Sequence, residues 1–355
     1  MRIVLSTPRA GWGGTATLAA SLGPGLEARG HDVVLFCKPG SKVEAGLGHV
    51  LATEPVLYGI DFPPPAMLRC RAAFRRHGTE VVLSLLRMDL RLTGAAARVS
   101  GIPVVAHRAE LEPFSSWPHR RLVDRIPNHW IANSEANART LLATGPWLTA
   151  ADVTTVPNGM DATPWIEAEP VPLSLPESAV AVGYVGRMVV EKGLGELADA
   201  WQALSPQHPE LHLVLVGSGP WEHEFRSRLR GAERVHWLGY RRDVPGIMKS
   251  LDLVVMPSWG ESFGLVAAEA MAASRPVVAS RSGGLAEVVV DGETGRFVPP
   301  RDPGALADAI VELARDPQTR NRMGRAGLER VRTHFTDDAM VDAYERVLME
   351  VLERG

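Results

Sequence analysis

Two basic side chains follow an apolar run near the middle of the chain. In the segment VGRMVVEKG, Arg187 comes directly after Gly186, and Lys192 stands five residues further on, just before Gly193. A guanidinium and an ammonium group in one glycine-flanked loop suit a diphosphate, which carries two negative charges. Solvated surface cations are the alternative interpretation of such a pair. The position directly after an apolar run favours a diphosphate site.

Two acidic residues eight positions apart form a second candidate. The segment SWGESFGLVAAEAMAASRPVVAS places Glu261 in a loop and Glu269 in the alanine-rich run that follows. Carboxylates accept hydrogen bonds from sugar hydroxyls, and a carboxylate in an apolar helix is costly to bury unless it is paired. The predicted helix begins near Ser262, Phe263 and Gly264, whose backbone N–H groups can face an anion. Glu261 alone would be read as an exposed loop acid; together with Glu269 it indicates a binding site for hydroxyl groups.

Glycines cluster after the first apolar run of the chain. Gly11, Gly13 and Gly14 surround Trp12 and precede a helical pattern. Glycines let a ligand approach the backbone closely, and a helix N-terminus offers N–H groups to an anion. The cluster lacks the spacing of the dinucleotide fingerprint GxGxxG. It is therefore read either as an anion site or as a tight turn between a strand and a helix.

A single histidine, His107, ends the apolar run IPVVAH. Histidine exchanges protons near neutral pH, but a lone histidine beside an apolar strand is more often a packed residue. Its place at the end of a predicted strand is the one observation that makes it a candidate.

These candidates stand at the ends of short β-rich runs that alternate with helical patterns, as in βαβ units with a parallel sheet. The predicted strands of the first half are RIVLS, DVVLFC, VVLSLL, IPVVAH and HWIANS, and those of the second half are AVGYVG, LHLVLVG, RVHWLG, DLVVMP and RPVVAS. Ligands of open parallel sheets bind beyond the carboxyl ends of the strands. We therefore expect an α/β fold with two Rossmann-like, doubly wound parallel-sheet domains that face each other across a cleft.

A proline-rich stretch separates the two sets of strands. The segment VPLSLPE follows ATPWIEAEP, and the alternation of strands and helices starts afresh after it. The sequence predicts a first domain over 1–165, a linker over 166–178, a second domain over 179–335 and a terminal helix over 336–355.

The composition excludes several classes of protein. With 355 residues, of which 45% are hydrophobic and 22% charged, the chain has enough apolar surface for two cores. Its two cysteines, Cys37 and Cys70, cannot build a disulfide framework. The N-terminal apolar stretch is too short for a signal peptide, and no later run is long enough to span a membrane. These features favour a cytoplasmic protein.

The net charge of −3 argues against a dedicated nucleic-acid binder and hides an asymmetry. Residues 1–165 carry 17 Lys and Arg against 13 Asp and Glu, whereas the remainder carries 21 against 28. The two halves are therefore expected to face different partners, or one of them is expected to face a partner of its own.

Together these motifs make the chain resemble family four of the retaining glycosyltransferases, which have the GT-B architecture. The resemblance is to the group that contains lipopolysaccharide-core and phosphatidylinositol-mannosyltransferase enzymes. It is carried, in family order and over nearly the whole length, by GGTATLAASLGPGLEARGHDV, SEANARTLL, VPNGMD, VGRMVVEKG, LVLVGSGP, VHWLGYRRDVP, PSWGESFGLVAAEAMAASRPVVAS and SGGLAEVVVDGETGRFVPPRDP.

The resemblance implies transfer of a sugar from a nucleotide diphosphate sugar, such as a UDP- or GDP-sugar, to a glycan or lipid-linked acceptor. Retention of the anomeric configuration, no metal and no further cofactor are implied as well. Of the expected catalytic residues, Arg187 and Lys192 would neutralise the diphosphate, and His107 would contact the donor sugar beside the reacting centre. Glu261, with the backbone of Phe263, Gly264 and Leu265, would hold the sugar hydroxyls and phosphate. The first domain would bind the acceptor, and the terminal helix would return to it.

The resemblance also assigns the remaining donor contacts. Glu269 would bind the ribose hydroxyls, and the base would lie against the backbone near Leu238 to Tyr240. The complete expected donor site comprises Gly13, Gly14, Gly186, Arg187, Lys192, Leu238, Gly239, Tyr240, Glu261, Ser262, Phe263, Gly264, Leu265 and Glu269. No carboxylate is marked by its sequence context as a covalent nucleophile. We therefore expect the acceptor to attack the sugar from the same face from which the leaving group departs.

A basic segment, MLRCRAAFRRH, occupies Met67–His77. An amphipathic helix with a solvated basic face is the simpler interpretation. Peripheral contact with the anionic inner face of a membrane, or contact with a phosphorylated acceptor, is the other. A second basic cluster, HRRLVDR, lies around Arg120. The arginines of the proposed membrane contact are Arg69, Arg71, Arg75 and Arg76.

Two other functions remain as alternatives to glycosyl transfer. A relative of the same fold that epimerises or hydrolyses nucleotide sugars would consume the donor without an acceptor. A non-catalytic protein that binds nucleotide sugars would release no nucleotide with any acceptor. A dinucleotide oxidoreductase is disfavoured because the GxGxxG fingerprint and its acidic partner are missing.

Overall fold

The computed structural model describes residues 1–57, 64–114 and 122–354. It divides the chain into a first domain of Met1–Met160 with Asp337–Gly355, and a second domain of Asp161–Thr336. The first boundary therefore lies five residues before the end expected at 165. Within the expected linker of 166–178, the N–H of Val171 donates to the Gly246 carbonyl at 3.1 Å, and Ser250 Oγ donates to the Val171 carbonyl at 2.7 Å.

The first domain contains a seven-stranded parallel sheet in the order β3-β2-β1-β4-β5-β6-β7. Valine, leucine and isoleucine dominate the inner strands because both faces of the sheet are covered. The strands are β1 (Arg2–Thr7), β2 (Asp32–Cys37), β3 (Ala52–Glu54), β4 (Val81–Ser84), β5 (Val104–Arg108), β6 (His129–Ala132) and β7 (Val153–Thr155).

Helices pack on both faces of this sheet. On one face, α1 (Gly14–Ala28) and α14 (Asp337–Glu353) bury Leu22, Tyr344 and Leu348 against the strands. The closeness of these two helices depends on Gly25, where a Cβ would lie 2.6 Å from the side chain of Val341. The other helices of the domain are α2 (Lys42–Leu47), α3 (Pro64–His77), α4 (Thr93–Val99) and α5 (Glu135–Thr144).

The second domain contains a six-stranded parallel sheet in the order β10-β9-β8-β11-β12-β13. Its strands are β8 (Val180–Val185), β9 (Leu211–Val216), β10 (Val235–Gly239), β11 (Leu253–Met256), β12 (Val277–Ser280) and β13 (Gly295–Val298), and its helices are α6 (Thr163–Glu167), α7 (Leu194–Leu204), α8 (Glu222–Arg228), α9 (Val244–Ser250), α10 (Leu265–Ala272), α11 (Leu285–Val288), α12 (Pro303–Arg315) and α13 (Pro317–His334). The core on one face centres on the buried Trp201 and Phe225. The expectation of two doubly wound parallel-sheet domains is confirmed. The sequence predicted five strands for the second sheet, and this number was wrong, because the sheet has six.

Each sheet has one point at which the strand order reverses direction. It lies between β1 and β4 in the first domain and between β8 and β11 in the second. Open α/β sheets bind ligands in the crevice beyond the carboxyl ends of the strands at this switch point. The loops after β1, β4, β8 and β11 are therefore the places in which to look for a site. No helix within the described ranges is long and apolar enough to span a membrane.

Candidate active site

Lys192 and Glu261 meet at the switch point of the second sheet. Lys192 ends a short 3-10 turn after β8, and Glu261 lies in the loop after β11. Lys192 Nζ forms an ion pair with Glu261 Oε1, and Ser258 Oγ donates to the same oxygen at 3.0 Å. The Glu261 side chain is 12% exposed and that of Lys192 28% exposed, so both remain reachable from solvent. The two residue types singled out from separate motifs thus form one pair.

Backbone contacts hold the loops of this pair together. Gly193 adopts a left-handed conformation with φ +70°, and a Cβ there would lie 1.9 Å from the Pro257 carbonyl oxygen. Gly284, after β12, donates its N–H to the Glu261 carbonyl at 2.7 Å, and a Cβ on it would lie 2.3 Å from the Ser262 carbonyl oxygen. Glycine is required at both positions because neighbouring backbone fills the space of a side chain.

The loop after β11 leads directly into α10. Gly264 precedes this helix with φ +105°, so the chain turns sharply there. The first N–H groups of α10 have no acceptor within the helix, because no helical turn precedes them. Positive helix-end charge and free N–H groups favour an anion at this place. Leu265 is the first residue of α10.

Glu269 lies on α10, one turn beyond the start of the helix. Burial raises the pKa of its carboxyl to about 7. No group in the described part of the chain donates a hydrogen bond or forms an ion pair with it. A carboxylate in this condition gains stability from any donor that reaches it, such as a hydroxyl group.

The loop after β8 also presents Arg187. Its side chain is exposed and has no carboxylate partner among the residues described, while its backbone carbonyl accepts a hydrogen bond from Tyr184 Oη at 2.7 Å. Tyr184 lies under this loop as a buried residue. Arg187 therefore offers an uncompensated cation at the carboxyl end of β8, directly after Gly186.

The positions expected near a base lie at the end of β10. The pairing of β10 with β9 shifts register between Trp237 and Gly239, so the backbone of Leu238 leaves the ladder. Gly239 has φ +65° and Tyr240 is 74% exposed. A planar ligand could form hydrogen bonds with the backbone here without breaking the sheet.

Gly13 and Gly14 begin α1 in the first domain. Gly13 has extended backbone, and a Cβ on Gly14 would meet no atom within 4 Å. The fold itself therefore does not require glycine at either position. Close approach of a ligand remains the physical reason for glycine there.

His107 lies at the carboxyl end of β5 and is 3% exposed. Its Nδ1 is 2.7 Å from the hydroxyl oxygen of Tyr344, which lies on α14. Burial lowers the pKa of His107 to about 4, so the imidazole is neutral near pH 7. When Tyr344 donates to Nδ1, the remaining proton of the ring is on Nε2, which is then a hydrogen-bond donor.

We expect the neutral state of His107 to weaken the first domain in acid. Because its folded pKa of about 4 lies below the unfolded value of 6.5, the unfolded chain takes up the proton first and stability falls as pH drops from 6.5 to 4. The loss approaches about 3 kcal/mol. Asp89 acts in the opposite sense, since burial raises its pKa to about 6.

The His107 contribution is isolated by comparing the protein with His107→Gln. The stability difference between the two should shrink as pH falls from 6.5 to 4, and the His107 ring signals should not titrate between pH 5 and 8 by NMR. A titration of the ring near pH 6.5 would contradict a buried neutral imidazole.

The basic helix α3 is largely occupied by internal contacts. Arg76 pairs with Glu54 at 2.7 Å, and Arg71 Nε donates to Ser100 Oγ at 3.3 Å. Arg75 and Leu68 are exposed. These contacts agree with the simpler interpretation, an amphipathic helix that packs through Cys70 and Phe74. Of the basic cluster around Arg120, the residues His119, Arg120 and Arg121 lie outside the described part of the chain.

The sequence analysis did not identify three residues that hold the candidate site residues in place. Ser258 anchors Glu261, Tyr184 anchors the Arg187 loop, and Tyr344 bonds His107. Nothing in their local sequence marks them. Within the described ranges, no three His, Cys, Asp or Glu side chains converge as metal ligands would.

Two doubly wound parallel-sheet domains with charged residues gathered at a switch point are typical of α/β proteins that bind ligands beyond the carboxyl ends of their strands. The family model described as Glycosyltransferase Family 4 matches residues 12–163, and the one described as Glycosyl transferases group 1 matches residues 179–316. The chain belongs to glycosyltransferase family four, and its fold is of the GT-B class.

Relatives with known names span much of the chain. The glycogen synthase of Mycobacterium tuberculosis is 28% identical over 381 residues, which cover 95% of this chain and 91% of that protein. The D-inositol 3-phosphate glycosyltransferase of Stackebrandtia nassauensis is 31% identical over 258 residues, covering 66% and 57%. The crystal structure of Anabaena HepE with UDP and glucose has a TM-score of 0.84 at 22% identity, covering 98% and 99%.

Proposed function

We propose that this glycosyltransferase moves a hexose from a nucleotide diphosphate sugar to a glycan or lipid-linked acceptor, with retention of the anomeric configuration and without a metal. The observation that supports this most strongly is the Lys192–Glu261 pair at the switch point of the second sheet. UDP-glucose is the first donor to test, because HepE crystallised with UDP and glucose.

The donor would use three chemical features of the second domain. Arg187 and Lys192 supply positive charge for the diphosphate, and the first N–H groups of α10 add donors next to Glu261. Glu269, which lacks a partner among the described residues, accepts hydrogen bonds from the ribose hydroxyls. The base lies against the backbone of Leu238 to Tyr240, outside the β10 ladder.

Catalysis follows from where charge develops. As the bond between the sugar and the diphosphate breaks, negative charge grows on the leaving phosphate, and fixed cations stabilise it more than they stabilise the ground state. Lys192 is oriented for this role by Glu261, and Glu261 itself is held by Ser258. When Tyr344 donates to Nδ1 of His107, the ring proton is on Nε2, which is then the donor for a sugar hydroxyl.

Retention of the anomeric configuration through attack on the same face agrees with the hydrogen bonding and protonation of the two carboxylates, Glu261 and Glu269. Glu261 already accepts from Lys192 and Ser258, and the raised pKa of Glu269 reduces its nucleophilicity at neutral pH. The leaving phosphate then takes the acceptor proton. Capture of a glycosyl adduct on a side chain during turnover would contradict this route.

Binding and turnover of nucleotide sugars test the proposal. UDP-glucose, UDP-galactose, GDP-mannose and ADP-glucose are compared by thermal shift, since a ligand of the folded state raises the melting temperature. We expect one of them to bind, and to release nucleotide faster when an acceptor is present, with an unchanged anomeric configuration by NMR. The Glu177→Gln variant, changed at an exposed acid of the second domain, serves as the control.

The alternatives give different results in the same assay. Release of nucleotide at the same rate without any acceptor identifies a hydrolase, and conversion of the free donor to its epimer identifies an epimerase. Binding without release under all acceptors identifies a non-catalytic binding protein. If no nucleotide sugar binds, the proposed function is wrong.

A further inference from the structure

Trp259 joins the two loops that carry the ion pair of the second domain. It lies in the loop after β11, two residues before Glu261, and its side chain is partly buried. Its backbone N–H donates to the carbonyl of Glu191 at 2.9 Å, and Glu191 directly precedes Lys192. This hydrogen bond therefore ties the backbone beside Glu261 to the backbone beside Lys192.

A carboxylate holds the indole ring of Trp259 by its edge. Trp259 Nε1 donates to Glu196 Oε1 at 2.9 Å, and Glu196 lies in the first turn of α7, the helix that follows Lys192 and Gly193. The other carboxylate oxygen, Oε2, is buried and has no hydrogen-bond partner among the described residues. A carboxylate with a buried, unpartnered oxygen depends strongly on the donor that it has. The bond therefore fixes the indole ring relative to the start of α7.

Arg301 covers the face of the same ring from a third loop, the one between β13 and α12. Its guanidinium carbon lies 4.4 Å from the centroid of the Trp259 ring, and the negative face of an indole attracts a cation. Arg301 has φ +62°, a conformation that costs free energy in any residue other than glycine. Backbone in such a conformation persists where its surroundings hold it, and it is concentrated at functional sites. The contact with Trp259 is one such restraint.

We infer that Trp259 is a positioning residue, which holds Glu261 at the distance from Lys192 that their ion pair requires. The inference rests on the proposed function, because it concerns the same site and its regulation of sugar transfer through loop position. Trp259 also directly follows Ser258, whose hydroxyl donates to Glu261 Oε1 at 3.0 Å. A displacement of about 1 Å at a reacting centre can lower a rate by about 10²-fold. The ring bonded to Glu196 restricts the movement that would separate the two loops.

Trp259→Phe removes the indole N–H and keeps both an aromatic ring and the backbone bond to Glu191. Lys192 acts on charge that grows in the transition state, so the loss should lie in kcat. With UDP-glucose as donor, kcat should fall by about tenfold, and KM of the donor should change by less than about threefold. The melting temperature should fall as well, because Glu196 loses its donor.

Trp221→Phe is the matched control in the same domain. The Trp221 ring also lies near an arginine, with the guanidinium carbon of Arg228 5.5 Å from its centroid. Its backbone N–H also donates to the loop after β8, at the carbonyl of Met188, with a distance of 3.0 Å. Trp221→Phe should keep the kcat of the unaltered protein.

Arg301→Gly separates positioning from stability. Glycine adopts a φ of +62° at little cost, so the melting temperature should stay the same or rise. The ring of Trp259 loses its cover, so kcat should fall by about two- to fivefold. A merely structural Arg301 would leave kcat unchanged. At Glu196, the Gln variant keeps an oxygen that accepts from the indole and should retain most of kcat, whereas Glu196→Leu should resemble Trp259→Phe.

Hydrogen exchange measures the hold on the loops without any substrate. The N–H of Gly284 donates to the Glu261 carbonyl at 2.7 Å, so its exchange reports the place of that loop. It should exchange about tenfold faster in Trp259→Phe than in the unaltered protein, and at the normal rate in Trp221→Phe. In Lys192→Ala, the further change Trp259→Phe should lower kcat little, because both changes act on one ion pair.

The outcomes separate this inference from the proposed function. If none of the four nucleotide sugars binds, the proposed function is wrong, and hydrogen exchange alone then decides whether Trp259 holds the loops. If a nucleotide sugar is turned over but Trp259→Phe keeps full kcat, the inference is overturned. Normal exchange of Gly284 in Trp259→Phe overturns it too, as does an equal fall in kcat with and without Lys192.

Discussion

Lys192→Ala should lower the turnover of sugar transfer by about 10²–10³-fold with little change in the melting temperature. Lys192 Nζ is the cation that Glu261 orients at the end of β8, where negative charge grows on the leaving phosphate in the proposed reaction. Its side chain is partly exposed, so its loss removes charge without opening a core. The kcat of transfer from the donor identified by binding is the quantity to measure.

Glu261→Gln tests the other half of the pair. The amide keeps the shape of the side chain but removes the charge that holds Lys192, so a loss of similar size is expected. Groups that act as a unit are not additive, so the double variant should lose about as much as either single one. Glu177→Gln should keep full turnover. Normal kcat in Lys192→Ala would contradict a role for this cation in departure of the phosphate.

The inner strands of both sheets were predictable because their signal is local. Runs such as VVLFC and LVLV are apolar on both faces, as strands buried on both sides must be. The three missed strands, β3, β7 and β13, are all at sheet edges. Edge strands are short and half-solvated, so Ala52–Glu54 and Val153–Thr155 carry little apolar pattern.

The site was predictable only in part, because only some of its residues are marked by their local sequence. Arg187, Lys192 and Glu261 stand next to apolar runs and glycines, and these neighbours marked them. The partners that orient them depend on tertiary contacts. Tyr344 reaches His107 across 237 positions, from a helix at the far end of the chain. No local pattern encodes such a contact.

His107 illustrates how the structure sharpens a sequence hypothesis. A strand-end histidine could have been a general base, but burial lowers its pKa to about 4 and leaves it neutral. A neutral ring whose Nδ1 faces Tyr344 suits hydrogen bonding to a sugar better than it suits proton transfer. The assignment of His107 to the donor sugar remains a proposal that rests on this geometry and on the family.

Gly193→Ala should be among the most damaging small substitutions in the second domain. Its φ of +70° alone costs an alanine about 1–2 kcal/mol. The added Cβ would also lie 1.9 Å from the Pro257 carbonyl oxygen, and backbone cannot yield as a flexible side chain can. Forcing these loops apart adds about 1–3 kcal/mol and moves Lys192 away from Glu261. Both the melting temperature and the transfer rate should therefore fall.

Two other glycines separate the causes of this effect. Gly231 has φ +85° and open space around it, so Gly231→Ala should show the conformational cost alone. Gly195 lies in α7, where its nearest neighbour is the mobile end of Arg228, so Gly195→Ala should be neutral or slightly stabilising. The expected order of stability is Gly195→Ala, Gly231→Ala, Gly193→Ala. If Gly193→Ala matched Gly231→Ala in both stability and transfer rate, contact between the loops after β8 and β11 would not be what positions Lys192.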